Sequence, residues 1–148
     1  MFERILIAYD GSVGAERALA KAIGLAQLCN AHLTVLTVYR HHSMLEASVS
    51  MVRGALEPGG NLDEAMRSAA REAADHAKTR ALAAGGLAKV SAFIKPGQPA
   101  RTIVAFGEEK GCDLIVVGSR GMGATEGYLL GSVSHKVTGL AECPVMVV

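Results

Sequence analysis

The sequence predicts an α/β fold of the doubly wound kind, and three observations carry that expectation. Short apolar runs alternate with longer amphipathic stretches in the order β-α-β-α-β-α-β-α-β, which implies parallel pairing and right-handed crossovers. The runs are apolar at consecutive positions, as in Leu114-Ile115-Val116-Val117, rather than alternating. That pattern suits strands covered by helices on both faces. No repeat, linker or shift in composition divides the 148 residues, so one domain over 1–148 is expected.

The elements follow in order. Ile5-Leu6-Ile7-Ala8 reads as the first strand and runs into Tyr9-Asp10-Gly11-Ser12. Ser12 is placed to cap a helix on which Ala15, Ala18, Leu19, Ala22, Ile23 and Ala26 recur at three- and four-residue steps. Asn30 tolerates the left-handed conformation that ends such a helix. The β-branched and apolar run 33–38 is the second strand. A long connection, 39–60, carries Leu45, Val49 and Val52 at helical spacing and so a short helix of its own. Asn61 with Glu64 resembles a capping box, opening an alanine-rich helix whose apolar positions run from Leu62 to Leu82 and which Gly85-Gly86 ends. Strand 90–94, helix 98–109 and strand 114–117 follow. A glycine-rich stretch leads to a helix from about Ser132, and 145–148 is the closing strand.

Composition narrows the function classes. Half of the residues are hydrophobic and the formal charge is +1, with no basic run, so broad binding to nucleic acid or an anionic membrane is not expected. No apolar run approaches the ~20 residues that span a bilayer. No leader pattern precedes the first strand, so the expected location is the cytoplasm. Cys29, Cys112 and Cys143 are odd in number and lack C-x-x-C spacing. They read as small apolar side chains rather than disulfides or zinc ligands.

Open parallel sheets bind ligands beyond the carboxyl ends of their strands. The segments at such ends are Asp10-Gly11-Ser12, Val38-Tyr39 and Gly118-Ser119-Arg120-Gly121, the last continuing to Gly131-Ser132-Val133-Ser134 at a helix start. A helix start offers unpaired N–H groups and partial positive charge to a phosphate. Ser132 and Ser134 add hydroxyl donors, and Arg120 a guanidinium. Each piece also has a plain structural reading: glycines after strands turn the chain, and Ser132 caps a helix. A G-x4-G-K-[ST] loop is absent, as is G-x-G-x-x-G after the first strand, so the P-loop and ordinary dehydrogenase readings lose their support.

"GSRGMGATEGYLLGSVSHKV" resembles the G-x2-G-x9-G-[ST] nucleotide loop of universal stress proteins, with nine residues between Gly121 and Gly131. "ILIAYDGS" is similar to that family's opening strand and aspartate, and "AECPVMVV" to its closing strand. The resemblance spans the chain. It implies a five-stranded parallel sheet in the order 3-2-1-4-5, a homodimer joined through the C-terminal strand, and ATP carrying Mg²⁺ or Mn²⁺. Position by position it puts Asp10 near ribose or phosphates and Val38 against adenine through its backbone. Gly118, Arg120 and Gly121 would line the phosphate side, with Gly131, Ser132, Val133 and Ser134 cradling the phosphates. Ala8 departs from the family's frequent proline, which bears on strand stiffness more than binding. "YRHHSMLEASVSMVRG" resembles a subgroup whose genes accompany TRAP-type solute transporters, which implies a regulatory protein partner.

Other conspicuous residues have plain readings. His41 and His42 lack a nearby carboxylate or cysteine cluster and read as solvated. Met44 and Met51 suit gap-filling as well as a partner surface. The leading function is an ATP-holding stress-response switch. An alternative is a slow ATPase or nucleotidyl-transferring enzyme, but no catalytic base or triad is legible, and protein ligands for a metal are not identifiable. A nucleotide-free scaffold is disfavoured by the intact glycine loop.

Overall fold

The computed structural model describes residues 1–40, 62–120 and 130–148. The short helix expected within 45–52, His41, His42, Met44, Met51, Asn61 and Gly121 lie outside the described residues. The elements are β1 (Arg4–Ala8), α1 (Val13–Cys29), β2 (His32–Tyr39), α2 (Leu62–Ala84), β3 (Lys89–Pro96), α3 (Pro99–Glu109), β4 (Leu114–Val117), α4 (Ser132–Leu140) and β5 (Val145–Val147).

All strand pairs are parallel and the sheet order is β3-β2-β1-β4-β5. Both the order and the alternation agree with expectation. β2 and β3 run beyond their apolar stretches because they pair with each other from His32↔Lys89 to Tyr39↔Pro96. Backbone hydrogen bonds rather than apolar content set those ends. β5 stops at Val147, although the Val148 N–H still donates to the Val117 carbonyl at 2.9 Å.

Successive strand residues point to opposite faces, and the core divides accordingly. Ile5, Ile7, Leu33, Val35 and Val116 pack with α1 and α2 on one face. Leu6, Leu36, Ile115 and Val117 pack with Ile103, Phe106 and Val137 of α3 and α4 on the other. α2 reaches the sheet through Ala70, Ala74, Ala77 and Ala81, a stripe without bulk that brings the helix close to β2 and β3. Leu82, expected on the apolar face, is exposed because it follows Ala81 round the helix. Cys112 and Cys143 are half-buried at the second core, where burial first, and then the neighbouring Cys143, pushes the Cys112 thiol up to about 11.

Local chemistry sets the helix ends. Asn30 closes α1 in the left-handed region at φ 54°, ψ 42°. Helix α3 begins one residue later than expected because Gln98 is its cap, its side chain accepting from the Arg101 N–H at 2.8 Å. Among the described residues no helix is long and apolar enough to cross a membrane.

Candidate functional site

A cavity of about 530 Å³ lies beyond the carboxyl ends of β1, β2 and β4, within the usual range for small-molecule sites. Asp10, Val38, Gly118, Arg120, Gly131, Ser132, Val133 and Ser134 all line it. These are the sequence-expected residues except Gly121, which lies outside the described ones. Residues that are far apart in the chain thus share one rim because the strand order reverses beside β1.

The β1 end is locally self-sufficient. The Tyr9 N–H continues the sheet ladder to the Leu36 carbonyl at 2.9 Å. The Asp10 carboxylate accepts from the Ser12 N–H at 2.9 Å, and the Ser12 hydroxyl accepts from the Ala15 N–H at 3.1 Å. Gly11, at φ 83°, makes the turn between them. Asp10 is the one carboxylate among the described residues lining the cavity.

At the β4 end, two of the expected residues that line the cavity also hold the loop to the rest of the protein. The space that a side chain at Gly118 would need is occupied by α1, since a Cβ there would fall 2.8 Å from the Gly14 carbonyl carbon. Gly14 reciprocates: its own Cβ would fall 2.4 Å from the Arg120 carbonyl oxygen. The two glycines let the β4 loop lie on the first turn of α1. Ser134, expected as a phosphate donor, is buried, with its hydroxyl in donating reach of the Ser119 and Gly131 carbonyls at 2.9 and 3.0 Å. Its one proton serves the loop. With the Gly131 N–H donating to the Ser119 carbonyl at 2.6 Å, Ser134 draws the two described ends of the glycine-rich stretch together.

Helix α4 starts with Gly131 as its cap and makes no side-chain capping hydrogen bond. Ser132 is therefore the first helical residue and not the cap. Its side chain is exposed at the cavity. No acidic residue occupies the first turn, so the partial positive charge of the helix end is not offset there.

Among the lining residues that the sequence reading did not single out, Thr37 and Tyr9 are buried and carry a hydroxyl. Thr37 of β2 is 5% exposed, and its hydroxyl has no hydrogen-bond partner among the described residues, an omission that costs about 1–3 kcal/mol for a buried polar group. The available signal was its phase: Thr37 shares the buried face of Leu33 and Val35. Tyr9 is buried too, and its hydroxyl donates to Glu16, which also pairs with Arg80 and, at 3.2 Å, with His76 of α2. Burial and then the Glu16 hydrogen bond hold the Tyr9 phenol well above its usual range. Burial alone would raise the Glu16 carboxyl, but the Tyr9 bond, Arg80 and His76 together bring it below its ordinary value.

A second depression of about 580 Å³, between the start of α2 and the end of β3, has Asp63, Glu64, Arg67 and Arg71 on its walls and, of the candidate segments, Tyr39 alone among the described residues. Among the described residues no cluster of three or more potential metal ligands occurs.

The universal stress protein family profile matches residues 1–148. The universal stress protein YxiE of Bacillus subtilis is 36% identical over 151 residues, covering 100% of this chain and 99% of that protein. Among solved structures, universal stress protein UspA from Lactobacillus plantarum superposes with a TM-score of 0.79 at 26% identity, over 99% of this chain and 97% of that one. A universal stress protein solved in complex with cAMP gives a TM-score of 0.73 at 27% identity, over the same shares. The profile match over the whole length and the agreement in strand order lead to one conclusion: the chain belongs to the universal stress protein family.

Proposed function

We propose that this protein binds ATP as a regulatory signal, with the phosphates at the start of α4 and the adenine toward the end of β2. The observation that carries the reading is the α4 terminus, which opens without a side-chain cap onto the cavity that β2 also lines. β2 and β4 flank β1, and two inter-strand steps separate them by about 10 Å. That span suits a ligand with an anion at one end and a flat base at the other. A relative of the same fold is in complex with an adenine nucleotide, cAMP.

In this reading the backbone N–H groups of Ser132, Val133 and Ser134 meet phosphate oxygens, the Ser132 hydroxyl adds a donor, and Arg120 adds charge. Gly118 and Ser134 hold the loop in place, while Gly121 and Gly131 keep side chains out of the phosphate path. Val38 meets adenine through its backbone. Asp10 suits ribose or a Mg²⁺ or Mn²⁺ ion carried in on the phosphates, and such an ion neutralises phosphate charge. Hydrolysis is slow or absent, because donors that bind ground and transition states alike do not accelerate chemistry. The cavity's one described carboxylate, Asp10, is already engaged with the Ser12 N–H. Two copies pair through the apolar β5 edge, and nucleotide occupancy alters the dimer's affinity for a regulatory partner, a transporter among the candidates.

Calorimetry tests the site. Gly121→Val and Gly131→Val lose ATP affinity while circular dichroism stays native; equal binding by both variants and wild type would overturn the assignment. Sedimentation tests the dimer, which removal of residues 145–148 converts to monomer or aggregate. A wild type monomeric at high micromolar concentration would contradict it.

A further inference from the structure

We infer that the Thr37 hydroxyl is the base-recognition group of the cavity, hydrogen-bonding the polar edge of the adenine ring. The inference rests on the nucleotide reading above and adds to it a residue and a role. Three observations carry it.

The first is the hydroxyl itself. It is buried and has no partner among the described residues, and Thr37 is one of the residues that line the cavity. Native structures seldom leave a buried hydroxyl unpaired, so such a group at a ligand site is a candidate for pairing with the ligand. The second is its surroundings. Ala70 and Ala73 of α2 and Tyr9 also line the cavity, small and flat groups that fit the faces of an aromatic ring. Tyr9 does not compete for the hydroxyl, because its own proton goes to Glu16. The third is position. Thr37 is on β2, two strands across the sheet from β4, whose loop leads to α4. With phosphates at α4, the part of the ligand that reaches β2 is the nucleobase. A threonine hydroxyl both donates and accepts. It therefore serves a ring nitrogen or an exocyclic amine, and valine at the same position does neither.

The experiment compares ATP with ribose 5-triphosphate, which keeps the sugar and phosphates and lacks the base, on wild type, Thr37→Val and Thr37→Ser. Thr37→Val is isosteric and removes an unpaired buried hydroxyl, so the ligand-free variant melts no lower than wild type. It binds ATP about fivefold to tenfold more weakly, the range of one lost hydrogen bond, and ribose 5-triphosphate within twofold of wild type. Thr37→Ser keeps the hydroxyl and stays within about twofold for ATP. Thr37→Ala, which also removes the hydroxyl and adds no methyl, carries the same expectation as Thr37→Val for the binding of the two ligands. ATP binding by both hydroxyl-free variants at wild-type strength would overturn the inference and leave the proposed function standing. So would equal losses for ATP and ribose 5-triphosphate, which would put the hydroxyl on the sugar or phosphates. A wild type that binds neither ligand would overturn the proposed function as well.

Discussion

Helices α1 and α4 begin at the rim of the same cavity, yet α1 is closed off by its own side chains and α4 is not. At α1, Ser12 caps the Ala15 N–H, Asp10 takes the Ser12 N–H, and Glu16 places an acid in the first turn. At α4, Gly131 supplies no side chain and the first turn is without acid. Gly131 lies at φ −62°, ψ 161°, extended backbone open to any residue, so conformational freedom does not explain a glycine there. The difference teaches that a helix start next to a cavity is not by itself an anion site. What matters is whether the protein has already spent the terminal N–H groups and the end charge on itself.

Giving α4 the arrangement of α1 is the sharpest way to break this contrast. Gly131→Asp installs a cap and a negative charge together. ATP affinity falls about 100-fold or more, because like charges brought together cost several kcal/mol. The melting temperature does not fall meanwhile, because an aspartate cap in place of a glycine stabilises a helix by about a few tenths of a kcal/mol. Calorimetry and thermal melts read the two effects, and an unchanged affinity would show that phosphates do not approach α4.

The next effect concerns the glycines that seat the β4 loop on α1. Gly118→Ala drives a Cβ to within 2.9 Å of the Gly14 carbonyl oxygen, and forced overpacking of this kind costs about 1–3 kcal/mol. Urea unfolding measures it. A cost near zero would show that the seat of the loop on α1 does not require a glycine at 118.

Contacts of this kind between distant segments leave no local signal in a sequence. Strand and helix order was legible because consecutive apolar runs and three- and four-residue steps are local signals, and the rim residues followed once ligand sites were sought at strand ends. Gly118 and Ser134 look alike in sequence whether they touch a ligand or the protein. The distinction depends on α1 lying against the loop and on Ser119 facing Ser134, contacts between distant parts of the chain. Thr37 was passed over for a related reason: inside an apolar strand one threonine reads as β-branched filler, and only burial without a partner separates it. Leu82 failed as a core residue because an alanine-rich helix offers several equivalent faces.

Removing the α1 cap has a smaller effect. Ser12→Ala costs about 1 kcal/mol of stability, with the loss read by denaturant unfolding. A loss far below that would mean that Asp10 alone holds the turn.

The smallest effect serves as a control at the opposite end of the sheet. His32 pairs with Ser91 at 3.0 Å near the amino end of β2, where burial first, then Lys89 and Arg4, lower its pKa below the ordinary 6.5. A lowered histidine pKa means that the unfolded chain binds the proton more readily. Stability is therefore retained above about 6.5 and declines as pH falls below it toward the folded value. His32→Asn flattens that decline in thermal melts and leaves ATP affinity unchanged. A change in affinity would show that the two ends of the sheet are coupled.

The central claim is that phosphate meets the start of α4 and not the start of α1, and amide chemical shifts measure this most directly. Titrating ATP, and separately inorganic triphosphate, into ¹⁵N-labelled protein should move the Ser132, Val133 and Ser134 amides with both ligands. The Ala15 and Glu16 amides should move little, and residues around Val38 should move with ATP alone. Shifts centred on Ala15 and Glu16, or α4 amides indifferent to both ligands, would contradict the account.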